Sequence, residues 1–313
     1  MSLFGRRKKV PPAVVRPPSD PDLTPLDVDQ AARVRALAHA DLTGRGLETM
    51  VHPGHLTVDG HTFGLSNLAA NLATWEDPAA WPGVVRRHFD LMLETQDDPQ
   101  YGLTDEELAT AVYVRFMLEG PELASMFSSY GRRVPGLMAV PCVDLPEKVA
   151  IPPESFYEER GGFDHWWGIG LDNLQELLWE EPLEHFPVGL DADLPQFHVV
   201  RGESVMVASF ALFLTQLLAR LGEPDLGRGV LVAVPERKQV LYRVVRGAEA
   251  LPAVGEMAIV AGSVHRSTAG ALSPHVFLVT DAGWHQLTQL EDQAIKVMIG
   301  EEAAAAFEID QPE

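Results

Sequence analysis

The same five-residue pattern occurs twice in this chain. GLSNL spans residues 64–68 and GLDNL spans residues 170–174, and each copy is followed by a leucine at the same offset and a nearby tryptophan. A small polar residue after Gly-Leu is typical of a helix N-cap, and the leucines fall at helical spacing on one face. We therefore predict that each copy marks the entry of an amphipathic helix, and that the chain consists of two related halves.

The segments around the two copies indicate helices that alternate with antiparallel strand pairs. Asp59-Gly60 between strand-like residues is a hairpin signal. Thr104 to Glu107 form a capping box, and residues 229–245 contain two β-branched runs separated by a turn. The regular strand–helix–strand spacing of a parallel sheet is missing. We predict an α+β fold in which each half packs helices on a short, mostly antiparallel sheet.

Other elements follow from caps and periodicity. A helix is predicted from Thr24-Pro25 to Leu42, with threonine as N-cap and proline as the first helical residue. A strand is predicted over residues 136–145 and an apolar helix over residues 204–221. A last hairpin is predicted to turn at residues 281–283.

Composition divides the chain into four segments. Residues 1–23 are rich in proline and arginine and are predicted to form a disordered arm. Residues 24–150 form the N-terminal half, and an irregular acidic and aromatic stretch at 146–168 marks its end. We expect residues 151–300 to form the C-terminal half and residues 301–313 to be an acidic tail.

Charge limits the classes of partner. The chain has 45 acidic and 24 basic residues, a formal net charge of −21. Such a surface repels nucleic-acid phosphates and anionic lipid headgroups, so we expect neither a nucleic-acid nor a membrane partner. The basic cluster at residues 6–9 offers a nucleic-acid contact as an alternative, although the acidic body argues against it.

Cysteine content and the N-terminal pattern indicate a cytoplasmic setting. The single Cys142 excludes an internal disulfide and any multi-cysteine metal site. Prolines, rather than an apolar segment, follow the basic cluster near the start, so a signal peptide is not expected. The most apolar stretch, within residues 204–221, is interrupted by polar residues and is too short to span a bilayer.

Common catalytic motifs do not occur in the sequence. Ser204 follows Gly202 but lacks the second glycine of a nucleophile elbow, so we interpret it as a helix cap. Neither glycine-rich phosphate-binding motif is present. We expect no cofactor.

One histidine cluster supports an alternative. His52, His55 and His61 lie with Asp59 within ten residues, and imidazoles that a loop brings together bind zinc or iron. Short histidine clusters on surface turns are more often solvated. A metal-dependent hydrolase that uses this region is therefore the alternative hypothesis.

Four phrases of the second half form a recognisable series. They are GLDNLQELL, VVRGESVMVASF, GVLVAVPERKQVLY and LSPHVF. In this order they resemble an uncharacterised bacterial family of the YtpQ type, over roughly residues 165–290. The resemblance implies a fold and a cytoplasmic setting, and it supplies no catalytic residues, because the family has no established activity.

Two groups of residues are candidates for binding. Arg237 and His275 occupy hairpin positions inside the family-like phrases, and loop positions carry function more often than core positions. Asp164, His165 and Trp166 place a titratable pair beside large aromatic rings, which suits either a binding ledge or an anchor to the core.

The sequence thus favours a non-enzymatic protein that acts by binding another protein. A surface this acidic would favour a basic partner. An immunity or antitoxin-like protein, a scaffold and a regulatory subunit all fit this description.

Overall fold

The computed structural model describes residues 17–58, 61–75, 77–93, 99–127, 132–189, 196–291 and 294–309. Helices and antiparallel sheets combine in these residues, so the predicted α+β class is confirmed. The chain forms two compact units that divide between Phe89 and Asp90. The predicted division at residue 150 falls inside the second unit.

The first unit contains one three-stranded antiparallel sheet and its helices. Its elements are α1 Val28–Gly44, β1 Thr49–Val51, β2 His55–Val58, β3 His61–Gly64, α2 Ser66–Ala73, a 3₁₀ turn Pro78–Ala80 and the start of α3 Trp81–Leu93. The predicted hairpin around residues 59–60 is present as the β2–β3 pair, in which Val58 lies opposite His61. The turn residues themselves lie outside the described part of the chain.

The first helix begins later than predicted. Asp27 is its N-cap, and the Asp27 carboxylate accepts hydrogen bonds from the backbone N–H groups of Asp29 and Gln30. The Gln30 side chain accepts in return from the Asp27 backbone, which completes a capping box. This reciprocal cap satisfies more free N–H groups than Thr24 would, so the predicted start at Thr24-Pro25 is wrong.

The second unit is built on two larger sheets. Its helices are α4 Asp105–Ala111, α5 Pro121–Met126, α6 Glu154–Glu158, α7 Phe163–Glu180, α8 Leu214–Arg220, α9 Leu251–Ser267 and α10 Glu301–Phe307. Its strands are β4 Val112–Leu118, β5 Arg132–Val134, β6 Leu137–Asp144, β7 Val149–Ala150, β8 Glu184–Val188, β9 Phe197–Arg201, β10 Val230–Glu236, β11 Gln239–Val244, β12 Phe277–Thr280, β13 Gly283–Gln286, β14 Thr288–Glu291 and β15 Ala294–Val297. Short 3₁₀ segments lie at Pro99–Gly102, Val207–Phe213 and Ala248–Ala250.

All strand pairs in this unit are antiparallel. One sheet has the order β4-β6-β5, with β7 beside β6, and the larger sheet has the order β13-β12-β10-β11-β9-β8. Both predicted hairpins of the second half are confirmed, as β10–β11 and β12–β13. The predicted strand over residues 136–145 is confirmed as β6.

The larger sheet is buried on both faces. Because successive side chains of a strand point to opposite faces, Val232 and Val234 of β10 join one core, and Leu231 and Ala233 join another. The first core contains β4, β6, α7 and the segment Val207–Phe213. The second contains α9 and Phe307 of α10.

The two copies of the repeated pattern do not mark equivalent elements. The first copy begins α2, but Ser66 is its first residue and no side chain caps the helix. The second copy lies inside α7, which begins seven residues earlier at Phe163. Asp172 is therefore an exposed mid-helix residue, and its predicted role as an N-cap is wrong.

Two further predictions need correction. The stretch 146–168, predicted as irregular, contains α6 and the start of α7. The predicted apolar helix over residues 204–221 is instead a 3₁₀ segment, Val207–Phe213, followed by α8. Among the described helices, none has the length and apolar character that a membrane crossing requires.

Candidate functional site

The strand β4 is held in place by residues of the second repeated pattern. A Cβ atom on Gly170 of α7 would lie 3.1 Å from the backbone of Tyr113, so glycine permits the close approach of strand and helix. The Asn173 amide donates hydrogen bonds to the carbonyl groups of Ala109 and Val112, each at 2.8 Å. The start of β4 is thereby fixed, and with it the position of Arg115, the fourth residue of the strand.

Arg115 is the unusual residue of this strand. It is 3% exposed, yet its Nε and Nη2 atoms have no hydrogen-bond partner within the described residues. Buried guanidinium groups are normally paired, because an unpaired buried charge is costly. In a guanidinium group, Nε–H and the adjacent Nη–H form one edge that matches two oxygen atoms of a carboxylate or phosphate. The free atoms of Arg115 are the two nitrogens of such an edge.

A second guanidinium group lies within the electrostatic influence of the first. Arg237 occupies the turn between β10 and β11, where Pro235 coincides with a shift of register. Its side chain is only partly exposed, and its Nε atom likewise has no partner among the described residues. Gly270 packs on the side chain, since a Cβ atom there would lie 2.9 Å from Cδ of Arg237.

One 3₁₀ segment connects the two arginine-bearing elements. The backbone N–H of Ala208 donates to the carbonyl of Arg237 at 2.9 Å. The neighbouring Ser209 hydroxyl accepts a hydrogen bond from the backbone N–H of Phe116 at 2.8 Å. Consecutive residues of this segment therefore contact Arg237 and the residue after Arg115. This arrangement places both arginines at the same end of the segment.

A buried carboxylate positions the segment. Glu181, just after α7, is 7% exposed, and its Oε1 atom accepts the backbone N–H groups of Glu203 at 2.6 Å and Ser204 at 2.8 Å. The Ser204 hydroxyl in turn accepts the N–H of Met206 at 3.1 Å. The turn that leads into the 3₁₀ segment is thus fixed by hydrogen bonds to Glu181 and Ser204.

Burial is the main electrostatic influence on both arginines. It lowers the pKa of Arg115, and it lowers the pKa of Arg237 to about 10, with the charge of Arg115 as a second cause. Both groups stay protonated at neutral pH. The nearest thiol, Cys142, supplies no compensating charge at that pH, because burial raises its pKa to about 12.

Carboxylates near the arginine pair offset its positive charge only from a distance. Burial lowers the pKa of both arginines, and the charges of Asp144 at Arg115 and Glu236 at Arg237 offset only part of that lowering. Within the described residues, neither arginine forms a salt bridge. Among the residues that the structure describes, the two positive charges therefore lack an anion in direct contact.

The other predicted binding residues have different roles. Trp166 is buried in the first turn of α7, and its Nε1–H donates to the Arg160 carbonyl at 2.8 Å, as expected of an anchor. Asp164 and His165, its neighbours, are exposed. His275 lies near the end of the loop between α9 and β12, and burial lowers its pKa.

The histidine region of the first unit is described only in part. The rings of His52 and His55 stack with centroids 4.4 Å apart. Asp59 and the side chain of His61 lie outside the described part of the chain. In the residues that are described, no three histidine, cysteine or acidic side chains are placed to hold a metal ion.

Sequence reasoning missed a second polar cluster on the larger sheet. The side chains of His185, His198 and Tyr242 stack across β8, β9 and β11. His185 Nε2 lies 2.9 Å from His198 Nδ1 and 3.0 Å from the Tyr242 hydroxyl, which also lies 3.4 Å from Glu223. These groups satisfy one another, so the cluster has fewer free polar atoms than the arginine pair.

Arg115 was also missed, although the sequence contains a signal for it. It is the only charged residue in the apolar run VYVRFML. Once that run is assigned to a strand buried on both faces, its one charged residue becomes a candidate site.

Comparisons with known proteins identify no relative: no family model, no curated protein and no solved structure matches the chain.

Proposed function

We propose that this chain is a binding protein whose arginine pair, Arg115 and Arg237, recognises an oxyanion group on its ligand. One observation carries the proposal: Arg115 is 3% exposed, and its bidentate edge is unpartnered within the described residues. An oxyanion would supply the missing hydrogen-bond acceptors and the missing negative charge together. Arg237, which is partly exposed, would form the entrance, and Arg115 the inner contact.

Binding is favoured over catalysis by the chemistry of the pair. A guanidinium group does not give up its proton at neutral pH, so it orients and neutralises an anion instead of exchanging protons with it. We propose that the ligand belongs to another protein, and that the chain acts in the bacterial cytoplasm as an immunity-like protein, a scaffold or a regulatory subunit. The resemblance to the YtpQ-type family supports the setting but names no ligand.

Anion titration tests the proposal. In a chloride buffer, acetate and inorganic phosphate are titrated into the wild-type chain, and the ¹⁵N and ¹H resonances of the arginine Nε–H groups are followed. We expect saturable shifts of the Arg115 resonance, assigned by its loss in Arg115→Met. A bound oxyanion with charge-assisted hydrogen bonds contributes about 1.5–3 kcal/mol per bond, so Arg115→Met should weaken binding at least about tenfold.

Two variants define the specificity of that test. Arg115→Lys keeps the charge and loses the bidentate edge, and it should bind more weakly than the wild type. Arg246→Met removes an exposed arginine that pairs with Asp225 at 3.2 Å, and it should leave anion binding unchanged. Equal binding in the wild type and Arg115→Met would contradict the proposal.

A further inference from the structure

The geometry of the arginine pair, together with the charge around it, also limits which oxyanion it can hold. Arg115 is almost fully enclosed, so a bound anion must leave most of its water behind. The cost of desolvating an ion grows with the square of its charge, so a dianion loses about four times as much as a monoanion. The negative charges of Asp144 and Glu236 already offset part of the positive charge of the two guanidinium groups, which further disfavours an anion with a second negative charge.

The shape of the free edge agrees with a planar group. Nε and Nη2 of Arg115 lie in the plane of one guanidinium group, and a carboxylate aligns its two oxygen atoms in that same plane. Its oxygens can accept both N–H groups of Arg115, and the Nε–H of Arg237 is also without a partner among the described residues. A carboxylate thus matches the unpartnered donors with a single charge.

The rest of the chain opposes the approach of a free anion. Five of the 24 basic residues lie in residues 1–16, which contain no acid, so residues 17–313 hold 19 bases against 45 acids. The resulting negative field repels a small anion before it reaches the pair, and the same field attracts a molecule with positive charges. A carboxylate carried by an otherwise basic molecule satisfies both conditions.

We infer that the ligand of the arginine pair is a carboxylate monoanion carried by an otherwise basic molecule. The inference rests on the proposed oxyanion-binding function and names the ligand class for that same site. The C-terminus of a basic peptide fits this description, whereas a free small acid shares only the carboxylate, and the experiment separates the two sources.

The experiment compares four probes on the full chain at pH 8, where inorganic phosphate is mainly the dianion. They are acetate, inorganic phosphate, the peptide acetyl-Gly-Lys-Gly-Lys-Gly with a free carboxylate, and the same peptide with a C-terminal amide. Dissociation constants are measured from the arginine Nε–H resonances, for the wild type, Arg115→Met and Arg237→Met. The amide peptide is the matched control, since it keeps both lysines and loses only the carboxylate.

We expect acetate to bind more tightly than phosphate, and the free peptide more tightly than acetate. Amidation and Arg115→Met should each weaken peptide binding about 10- to 100-fold, and together no more than either alone, because both remove the same contact. Added potassium chloride should weaken the free peptide more than acetate, since screening acts on the attraction of the lysines.

Each opposite result has its own meaning. Phosphate binding tighter than acetate, with loss in Arg115→Met, would overturn the carboxylate inference and leave the oxyanion function intact. Acetate binding as tightly as the free peptide would overturn the inference that the carboxylate is carried by a basic molecule. No probe bound in an Arg115-dependent manner would overturn both proposals.

Discussion

Replacing Arg115 with methionine should make the ligand-free protein more stable. Methionine keeps the long unbranched stem and removes the charge and the two unpartnered nitrogen atoms. An unsatisfied buried polar group costs about 1–3 kcal/mol, so the two nitrogens together cost roughly 2–6 kcal/mol. The shorter side chain leaves a small cavity, which lowers the free energy of unfolding by about 1 kcal/mol. The net gain in the free energy of unfolding is therefore about 1–5 kcal/mol, close to the ~1–4 kcal/mol found when buried charges are replaced by apolar groups.

The assay is denaturant unfolding followed by the fluorescence of the buried tryptophans of α7, with thermal unfolding as a second measurement. For a unit of this size, each kcal/mol raises Tm by about 2–4 °C, so a gain near 2 kcal/mol corresponds to about 4–8 °C. Both measurements are made in chloride buffer without added carboxylate or phosphate, because a bound anion would stabilise the wild type selectively.

Arg160→Met is the matched control, because Arg160 is an arginine with partners. Its guanidinium group donates to the carbonyl groups of Leu103 at 3.0 Å and Tyr101 at 3.1 Å, and it lies over the Phe156 ring. Removing it leaves both acceptors without that donor, so this variant should lose about 1–3 kcal/mol. A loss of similar size in Arg115→Met would show that Arg115 is satisfied in the folded protein, and it would refute the reasoning from an unpartnered charge.

Three further predictions test the surroundings of the pair and the second polar cluster. Glu181→Ala removes the carboxylate that accepts hydrogen bonds from two backbone N–H groups, and urea titration should show a loss of about 2–4 kcal/mol in the free energy of unfolding. Glu181→Gln should lose less, because its amide oxygen still accepts these hydrogen bonds. Gly270→Ala and Gly136→Ala both place a side chain at positive φ, +83° and +73°, but only the first would contact Arg237, with Cβ 2.9 Å from Cδ. We expect both variants to lose stability, Gly270→Ala the more, and only Gly270→Ala to bind acetate more weakly; equal acetate binding in both would contradict the contact. Burial lowers the pKa of His198 below its ordinary value of 6.5, so the unfolded chain takes up a proton first and stability should fall as pH drops through 6.5. Urea midpoints at pH 7.5 and 5.5 should differ less in His198→Asn than in the wild type. An equal difference in both proteins would exclude this histidine as a cause.

Hairpins and capping boxes were the elements that the sequence predicted well. The β10–β11 and β12–β13 hairpins and the capping box at Thr104 follow from local rules, because turn residues and caps interact with atoms only a few positions away. The end of α1 also lies near its prediction, at Gly44 instead of Leu42. These features need no knowledge of the rest of the fold.

The second copy of the repeated pattern shows where local rules fail. GLDNL contains a plausible cap at Asp172, but the apolar spacing extends upstream through Phe163 and Trp166, and the backbone before the helix turns at Gly162 with φ of +108°. Periodicity over the longer segment outweighs a single cap residue. Gly170 and Asn173 of this pattern instead contact β4. Because that strand lies about 60 residues away in the sequence, rules based on neighbouring residues cannot predict the contact.

The sequence predicted one of the two arginines of the candidate site, Arg237, and missed Arg115, because the two residues lie in different kinds of segment. Arg237 lies in a turn between two recognisable strands, so its sequence position already suggests a binding surface. Arg115 lies in a run that fits either a helix end or a strand, and its meaning depends on burial from both sides, which only the fold supplies.

A buried, unpaired charge persists in a stable protein only when the surrounding structure holds it there. Around Arg115 and Arg237 that structure consists of short-range devices: Gly170 and Asn173 fix the strand, Glu181 fixes the connecting 3₁₀ segment, and Gly270 covers the second side chain. Each device is satisfied within the protein, while the guanidinium edge they position has no partner in the described part of the chain. A site that is fixed in advance loses little conformational freedom when a ligand binds, so the free energy that the unpaired charge costs in the free protein is recovered as affinity for the anion that pairs with it.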